Sequence, residues 1–240
     1  MIEKLLEELD YKIKDETPYM FQNYYVPRVS SILSTMIHEE FLDKWIYTLA
    51  FYKRKNYISE REKAAFIGTK AHECIENFLM NNLDFSEINK LSIDYQNKIY
   101  NCLESFIKWY SDIAPYNNIK IIDLEKELVC PYYGGTCDLL IEINGRLFLG
   151  DFKTSNNIGY KYFLQLSAYK YILENSGYKI DGCIILQVDK STIAYEEYVL
   201  DFNNIEHKSF IDLCTNCFLS LVYSYYNKIM VENEFKRIFR

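Results

Sequence analysis

Asp138 and the triplet Asp151-Phe152-Lys153 are the residues of this 240-residue chain whose types and spacing could do chemistry. They sit in the run GGTCDLLIEINGRLFLGDFKTS, which reads as strand, tight turn, strand. Side chains alternate along a strand, so Asp151 and Lys153 point to one side. Asp138 lies across the hairpin, within reach of both. Mg²⁺ prefers carboxylate, water and phosphate oxygens. Two acids on adjacent strands, with the carbonyl of Phe152 between Asp151 and Lys153, could hold one octahedral ion. Lys153 would then orient or help deprotonate an attacking water and stabilise charge developing on phosphorus. The second strand is otherwise apolar at Leu147, Phe148, Leu149 and Phe152. Charge in such a strand is costly unless paired or metal-bound. The competing reading is an Asp–Lys surface pair on a hairpin.

Three further patterns bear on the choice. Gly68-Thr-Lys-Ala-His72 places one of only three histidines just after a mid-helix glycine. Glycine there costs a helix about 1 kcal/mol relative to alanine, and it suggests a close helix-to-sheet approach. Gly134-Gly135 precedes Asp138 and would let the backbone bend into a site. Gln165-x-x-x-Tyr169 sets two polar tips on one helix face.

The elements that must position these residues read as a helical half and then a sheet-forming half. Apolar residues recur at helical spacing from Val29 to about Lys53. Ser59-Glu-Arg-Glu62 has the form of a capping box and predicts a helix to about Met80. A further helix is expected over Ser86 to Tyr110, before Pro115. Strands follow at Ile119–Cys130, Thr136–Ile143 and Arg146–Thr154, the last two joined by Asn144-Gly145. A helix is expected over Gly159–Asn175, with Gly177 just past its end. Strands at Gly182–Val188 and Thr192–Leu200 come next, then a long or broken helix from Asn203 to about Arg240. Five of the eight glycines fall between residues 134 and 159, which marks that stretch for turns and close backbone approach. The expectation is one α/β domain over 1–240, mainly helical over 1–115, with the α/β core over 116–240.

Composition narrows the function classes. Hydrophobic content of 49% and charged content of 25% are ordinary for a globular protein. No apolar run approaches the roughly 20 residues needed to span a bilayer, so no membrane partner is expected. The start, MIEKLLEELD, is acidic and amphipathic, unlike a signal or transit peptide. A cytoplasmic location is expected, a host cell's if the chain is phage- or virus-encoded. A net charge of −7 argues against coating nucleic acid nonspecifically, but it leaves room for a local basic path. Lys53-Arg54-Lys55 with Tyr52 and Tyr57, and Tyr160-Lys161-Tyr162, are candidates for that path, since rings interleaved with cations suit base stacking. With 23 tyrosines in the chain, compositional bias explains such runs equally well. The seven cysteines are odd in number and irregularly spaced, so no disulfide framework is expected. Cys214 and Cys217 read as two half-buried thiols one helical turn apart.

Taken in order, GTKAH, GGTCD, DFKT and QLSAY resemble the motifs of the PD-(D/E)xK nuclease superfamily in its RecB-like exonuclease branch. VPRVSSILS, Val26 to Ser34, is similar to the opening of phage and mitochondrial single-strand DNA exonucleases of that branch. The likeness covers about residues 26 to 170. It implies a restriction-endonuclease-like core, a mixed central sheet flanked by helices, with a helical N-terminal elaboration. It implies metal ligation by His72, Asp138, Asp151 and the Phe152 carbonyl, with Lys153 as the catalytic lysine. Gln165 and Tyr169 would position the DNA or the lysine side. Glu127 or, equally, Glu125 would support the site. Cys137 stands where the superfamily name has proline, which is usual for the branch. Some members carry an iron–sulfur cluster on four cysteines, three near the C-terminus. Only Cys214 and Cys217 lie there, so no cluster is expected. The implied activity is Mg²⁺- or Mn²⁺-dependent hydrolysis of single-stranded DNA or free DNA ends, in replication, recombination or repair. The alternatives are a CRISPR- or recombination-associated nuclease subunit and a non-catalytic DNA-binding module of the same fold.

Overall fold

The structure, a computed structural model, describes residues 19–38, 40–54 and 56–239. The amphipathic start MIEKLLEELD and Lys55 of the basic run lie outside the described residues. An antiparallel pair, β1 (Tyr19–Phe21) and β2 (Tyr24–Val26), opens the described chain. Then come α1 (Val29–Met36), α2 (Glu40–Tyr47), a π-helical turn (Thr48–Tyr52), α3 (Tyr57–Leu79) and α4 (Ile93–Ile113). The second half is β3 (Ile119–Cys130), β4 (Tyr133–Ile143), β5 (Arg146–Lys153), α5 (Tyr160–Asn175), β6 (Gly182–Val188), β7 (Tyr195–Asp201) and α6 (Ile205–Phe239).

The second half has the predicted order. Its turn is made as Asn144-Gly145 requires, with φ of 53° and 76°. Differences concentrate in the helical half. The periodicity from Val29 to Lys53 breaks at Ile37, whose backbone is extended and whose N–H closes α1 on the Leu33 carbonyl. Buried Val29, Ile32 and Leu33 bind α1 to the core, and the break lets Ile37 pack there too. α3 starts two residues before Ser59. Asn56, as strong a cap as serine, accepts the Ile58 N–H at 3.0 Å. α4 starts at Ile93 rather than Ser86. Asp84 holds the Ser86 N–H and hydroxyl at 2.8 and 2.9 Å, a local turn that competes with helix. The β1–β2 hairpin was not anticipated.

The five-stranded sheet has the order β3-β4-β5-β6-β7. Only β5 and β6 run parallel, so the sheet is mixed and α5 is the crossover. Alternation divides the strand residues between two apolar layers. Leu149, Cys183 and Ile185 face α1, α5 and α6. Phe148, Phe152, Ile184 and Leu186 face α3 and α4. The result is an α/β architecture, a mixed sheet covered by helices on both sides. Among the described residues no helix is long and apolar enough to cross a membrane.

Two features of the sheet prepare the site. The β4–β5 ladder ends at Leu139↔Gly150, while β5–β6 pairing continues to Lys153↔Gln187. β4 and β5 therefore part just where Asp138 and Asp151 lie. The glycines before Asp138 do not bend the chain; they lie within β4 and leave room. A Cβ on Gly134 would sit 2.7 Å from the Tyr19 ring, and one on Gly135 would sit 2.7 Å from the Tyr169 hydroxyl. Gly135→Ala should therefore lower stability by about 1–3 kcal/mol, the usual scale of overpacking. Gly159→Ala, with open space around its Cβ, should stay within about 0.5 kcal/mol. Urea unfolding of the two variants makes the comparison, and equal midpoints would refute the close approach of Tyr169.

Candidate metal centre

Asp138 stands at the end of the β4–β5 ladder and takes over from it. Its Oδ2 accepts the Phe152 N–H at 2.7 Å, a backbone donor that strand pairing no longer serves. The same oxygen lies 3.4 Å from Nδ1 of His72. His72 reaches it from α3, and its ring rests edge-on against Phe152 at 5.9 Å. α3 comes this close because Gly68 has no side chain: a Cβ there would stand 3.2 Å from Thr154 Oγ1, just past β5. The expectation of a close helix approach at Gly68 holds.

Of Glu125 and Glu127, it is Glu125 that lies with His72 and Asp138. Its ligand oxygen, that of Asp138 and a nitrogen of His72 all lie within 4.8 Å of one another. Donor atoms around one ion of 2.0–2.6 Å bond length fall within about 4–5 Å of one another. The register accounts for the choice. Leu124↔Leu139 and Lys126↔Cys137 are paired, which sets Glu125 opposite Asp138, whereas Glu127 faces Thr136. Glu125 also has φ of 45°, left-handed backbone that costs a side-chain-bearing residue about 1–3 kcal/mol. Strain of that kind at a cluster of ionisable groups is a common mark of a working site.

Asp151 and Lys153 share a strand side as predicted. The Asp151 carboxylate is 2% exposed, and its Oδ2 lies 2.5 Å from the Lys153 ammonium. Close as that is, neither Asp151 oxygen has a hydrogen-bond partner of good geometry, although both are buried. Oδ2 has the Lys153 charge at hand, but Oδ1 is a buried acceptor with no partner, which an oxygen-seeking cation near His72, Glu125 and Asp138 would satisfy. Burial first, and then Asp138, push the Asp151 carboxyl up to about 6 against the opposing pull of Lys153. Burial by itself would lower the Lys153 amine. Asp151 and Asp138 outweigh it and hold the group above its ordinary value, as an ammonium. Lys153 also lies 5.0 Å over the Tyr162 ring. Of the predicted ligands, His72 and Asp138 enter the close cluster, and Asp151 stands beside it facing Lys153. Phe152 takes part through its amide N–H to Asp138.

Gln165 and Tyr169 meet each other. The Gln165 amide donates to the Tyr169 hydroxyl at 3.1 Å. Burial, and more weakly Asp151 and Asp138, raise the Tyr169 phenol despite the opposing Gln165 contact, so it stays protonated near the acids. Tyr19, supplied by the unanticipated hairpin, hydrogen-bonds Thr136 on β4 at 2.7 Å. Glu76 is the other residue the sequence reading passed over. It lines an open pocket with Gly68, Thr69, His72, Glu73 and Glu125. Its spacing of four from His72 was the available signal. Cys214 is buried and Cys217 exposed, both within α6.

Glu125 is exposed by surface area, yet its carboxyl is crowded by other acids. Partial burial, then Asp138, Glu76 and Asp151, push it up to about 7. The direction follows from the neighbouring negative charge even where solvent screens it. A divalent cation that met this donor set would relieve the repulsion. The donor set, two carboxylates and one imidazole, is one that suits a divalent cation.

No family model matches this chain and no curated protein matches it. Among solved structures, that of SSO0001 aligns over 92% of this chain and 85% of its own, at 13% identity and a TM-score of 0.32. A likeness that slight carries no argument.

A pH dependence arises from the two raised carboxyls. Both hold protons in the folded chain that the unfolded chain has already released. Their contribution is full below the ordinary carboxylate range and is lost as pH rises through about 6 to 7. In EDTA, thermal stability should fall between pH 5 and pH 7.5, and Mn²⁺ or Mg²⁺ should restore it at the upper end. Glu125→Gln should flatten the fall in EDTA and weaken metal affinity about tenfold or more. Thermal melts with a metal titration read both, and an unchanged metal response would remove Glu125 from the site.

Proposed function

We propose that this chain is a Mg²⁺- or Mn²⁺-dependent deoxyribonuclease, an exonuclease that hydrolyses phosphodiester bonds of single-stranded DNA or of free ends. The reading takes the sheet and its helices as a restriction-endonuclease-like core of the RecB-like branch. One observation carries it: the Asp138, His72 and Glu125 donor set lies next to the buried Asp151–Lys153 pair, where β4 and β5 part. A purely structural ion pair seldom leaves a buried carboxylate oxygen, here Asp151 Oδ1, without any partner.

Each residue has a defined task in this reading. Asp138, His72 and Glu125 would hold the cation, with Asp151 beside them. Bound there, a divalent ion would supply Lewis-acid activation of water and charge neutralisation at the phosphate. Lys153, kept protonated by Asp151 and Asp138, stabilises negative charge developing at phosphorus and orients the incoming water. Phe152 fixes Asp138 through its N–H and His72 through its ring edge. The protonated Tyr169 hydroxyl, held by Gln165, would donate toward the acids or a phosphate bound beside them. Glu73, Glu76 and Glu125 line the pocket with negative charge, so a phosphate approaches productively only when cation charge is present.

The test is digestion of end-labelled single- and double-stranded DNA with and without Mg²⁺, with each end blocked in turn and a circular substrate as control. Wild-type protein should degrade linear single strands only with metal. Lys153→Ala should lose roughly 10²–10³-fold or more in turnover, the scale of a removed transition-state contact, with its melting behaviour retained. Full activity in that variant would sink the mechanism. Binding without cleavage by the wild-type chain would identify a DNA-binding module instead.

A further inference from the structure

We propose that the aromatic knuckle formed by the end of α2 and the π-helical turn is a stacking platform for unpaired bases of a DNA strand. Tyr47 and Phe51 stack at 5.3 Å with 8° between their planes, and Tyr52 meets both edge-on. The three rings are 57%, 66% and 72% exposed. Exposed rings gathered this closely are uncommon on a surface without a partner. The π turn produces the gathering. The Lys53 N–H reaches back five residues to the Thr48 carbonyl at 3.2 Å, and the added residue brings Tyr52 round to the side that Tyr47 and Phe51 share by their spacing of four. Such turns occur often at functional sites.

The knuckle itself gives little to the core: of residues 43–54 and 56–66, only Leu49 is buried. The side chains next to the rings indicate the occupant. Lys53 and Arg54 are exposed, and neither is ion-paired among the described residues. Two exposed cations that follow the three rings directly in sequence, in a chain of net charge −7, suit a strand that offers phosphates and bases together. The geometry links the platform to the metal centre. α3 begins at Tyr57, just past the knuckle, and carries His72 fifteen residues along. That sets the start of α3, five residues past Tyr52, about 22 Å from His72 along the helix axis, a span of roughly six stacked nucleotides. The metal centre would act on one end of a strand whose other bases rest on the knuckle.

The proposal rests on DNA as the substrate, but its binding half can be tested without cleavage. In EDTA, the anisotropy of a labelled dT20 strand should show binding to wild-type protein and to Lys153→Ala. The triple variant Tyr47→Ala/Phe51→Ala/Tyr52→Ala should bind at least about tenfold more weakly, since each stacked ring contributes on that scale. Its melting curve should stay unchanged, because all three rings are exposed. Phe51→Trp should keep wild-type affinity. With Mg²⁺, the triple variant should cleave dT20 more slowly and a dT4 substrate, too short to span the distance, at the wild-type rate. Equal dT20 affinity in wild-type and triple variant, or no dT20 binding at all, would overturn the platform. So would equal losses on dT4 and dT20. If wild-type protein binds dT20 through the rings yet cleaves nothing, the platform stands and the nuclease reading fails.

Discussion

Two carboxylates inside an apolar sandwich are the constraint around which this molecule is arranged. Asp138 and Asp151 both lie where the sheet is covered on each side, and ionised groups there need partners. The chain meets that need in two halves. Lys153 answers Asp151 from the same strand, backed by Tyr162 and Tyr169 of α5. His72 and the Phe152 amide answer Asp138, the first from α3 in the opposite layer. The halves can meet only because β4 and β5 stop pairing at Leu139 and Gly150. A sheet zipped further would satisfy the Phe152 amide by itself and leave Asp138 without its place.

Small residues set the distances around that gap. Gly68 lets a 23-residue helix settle against the end of β5. Gly134 and Gly135 make slots for Tyr19 and Tyr169, which arrive from the first described strand and from the crossover helix. Glu125 works the other way. It keeps its side chain at a left-handed position where glycine would be easier, and its carboxylate thereby faces Asp138 across the β3–β4 ladder.

The sequence displayed the β-rich half well, because its signals are local. Asn144-Gly145 defines the hairpin, alternation sets the faces, and D-x-K sits on one side of a strand by geometry alone. The helical half was harder. Periodicity ran unbroken through Ile37, since what stops α1 is packing and not a proline or glycine. Ser59 offered a good cap, but Asn56 offered one earlier. Within the site, Glu125 and Glu127 were equivalent on paper because both alternate to the same side of a regular strand. Only the register opposite Asp138 and the irregular backbone separate them. Glu76 stayed hidden because an acid four residues from a histidine is common on helices, and the Tyr19 strand is too short to stand out.

The hydrogen bond between Tyr19 and Thr136 joins residues 117 positions apart. Contacts that distant close large loops and form late in folding. The hairpin that carries Asp138 and Asp151 closes over a two-residue turn and needs no such search. A chain emerging from synthesis can therefore assemble its acidic ribbon in open water, where charge is well solvated, before α5, α6 and the N-terminal strand are there to enclose it. Order of assembly, as much as final geometry, is how carboxylates come to rest inside an apolar interior.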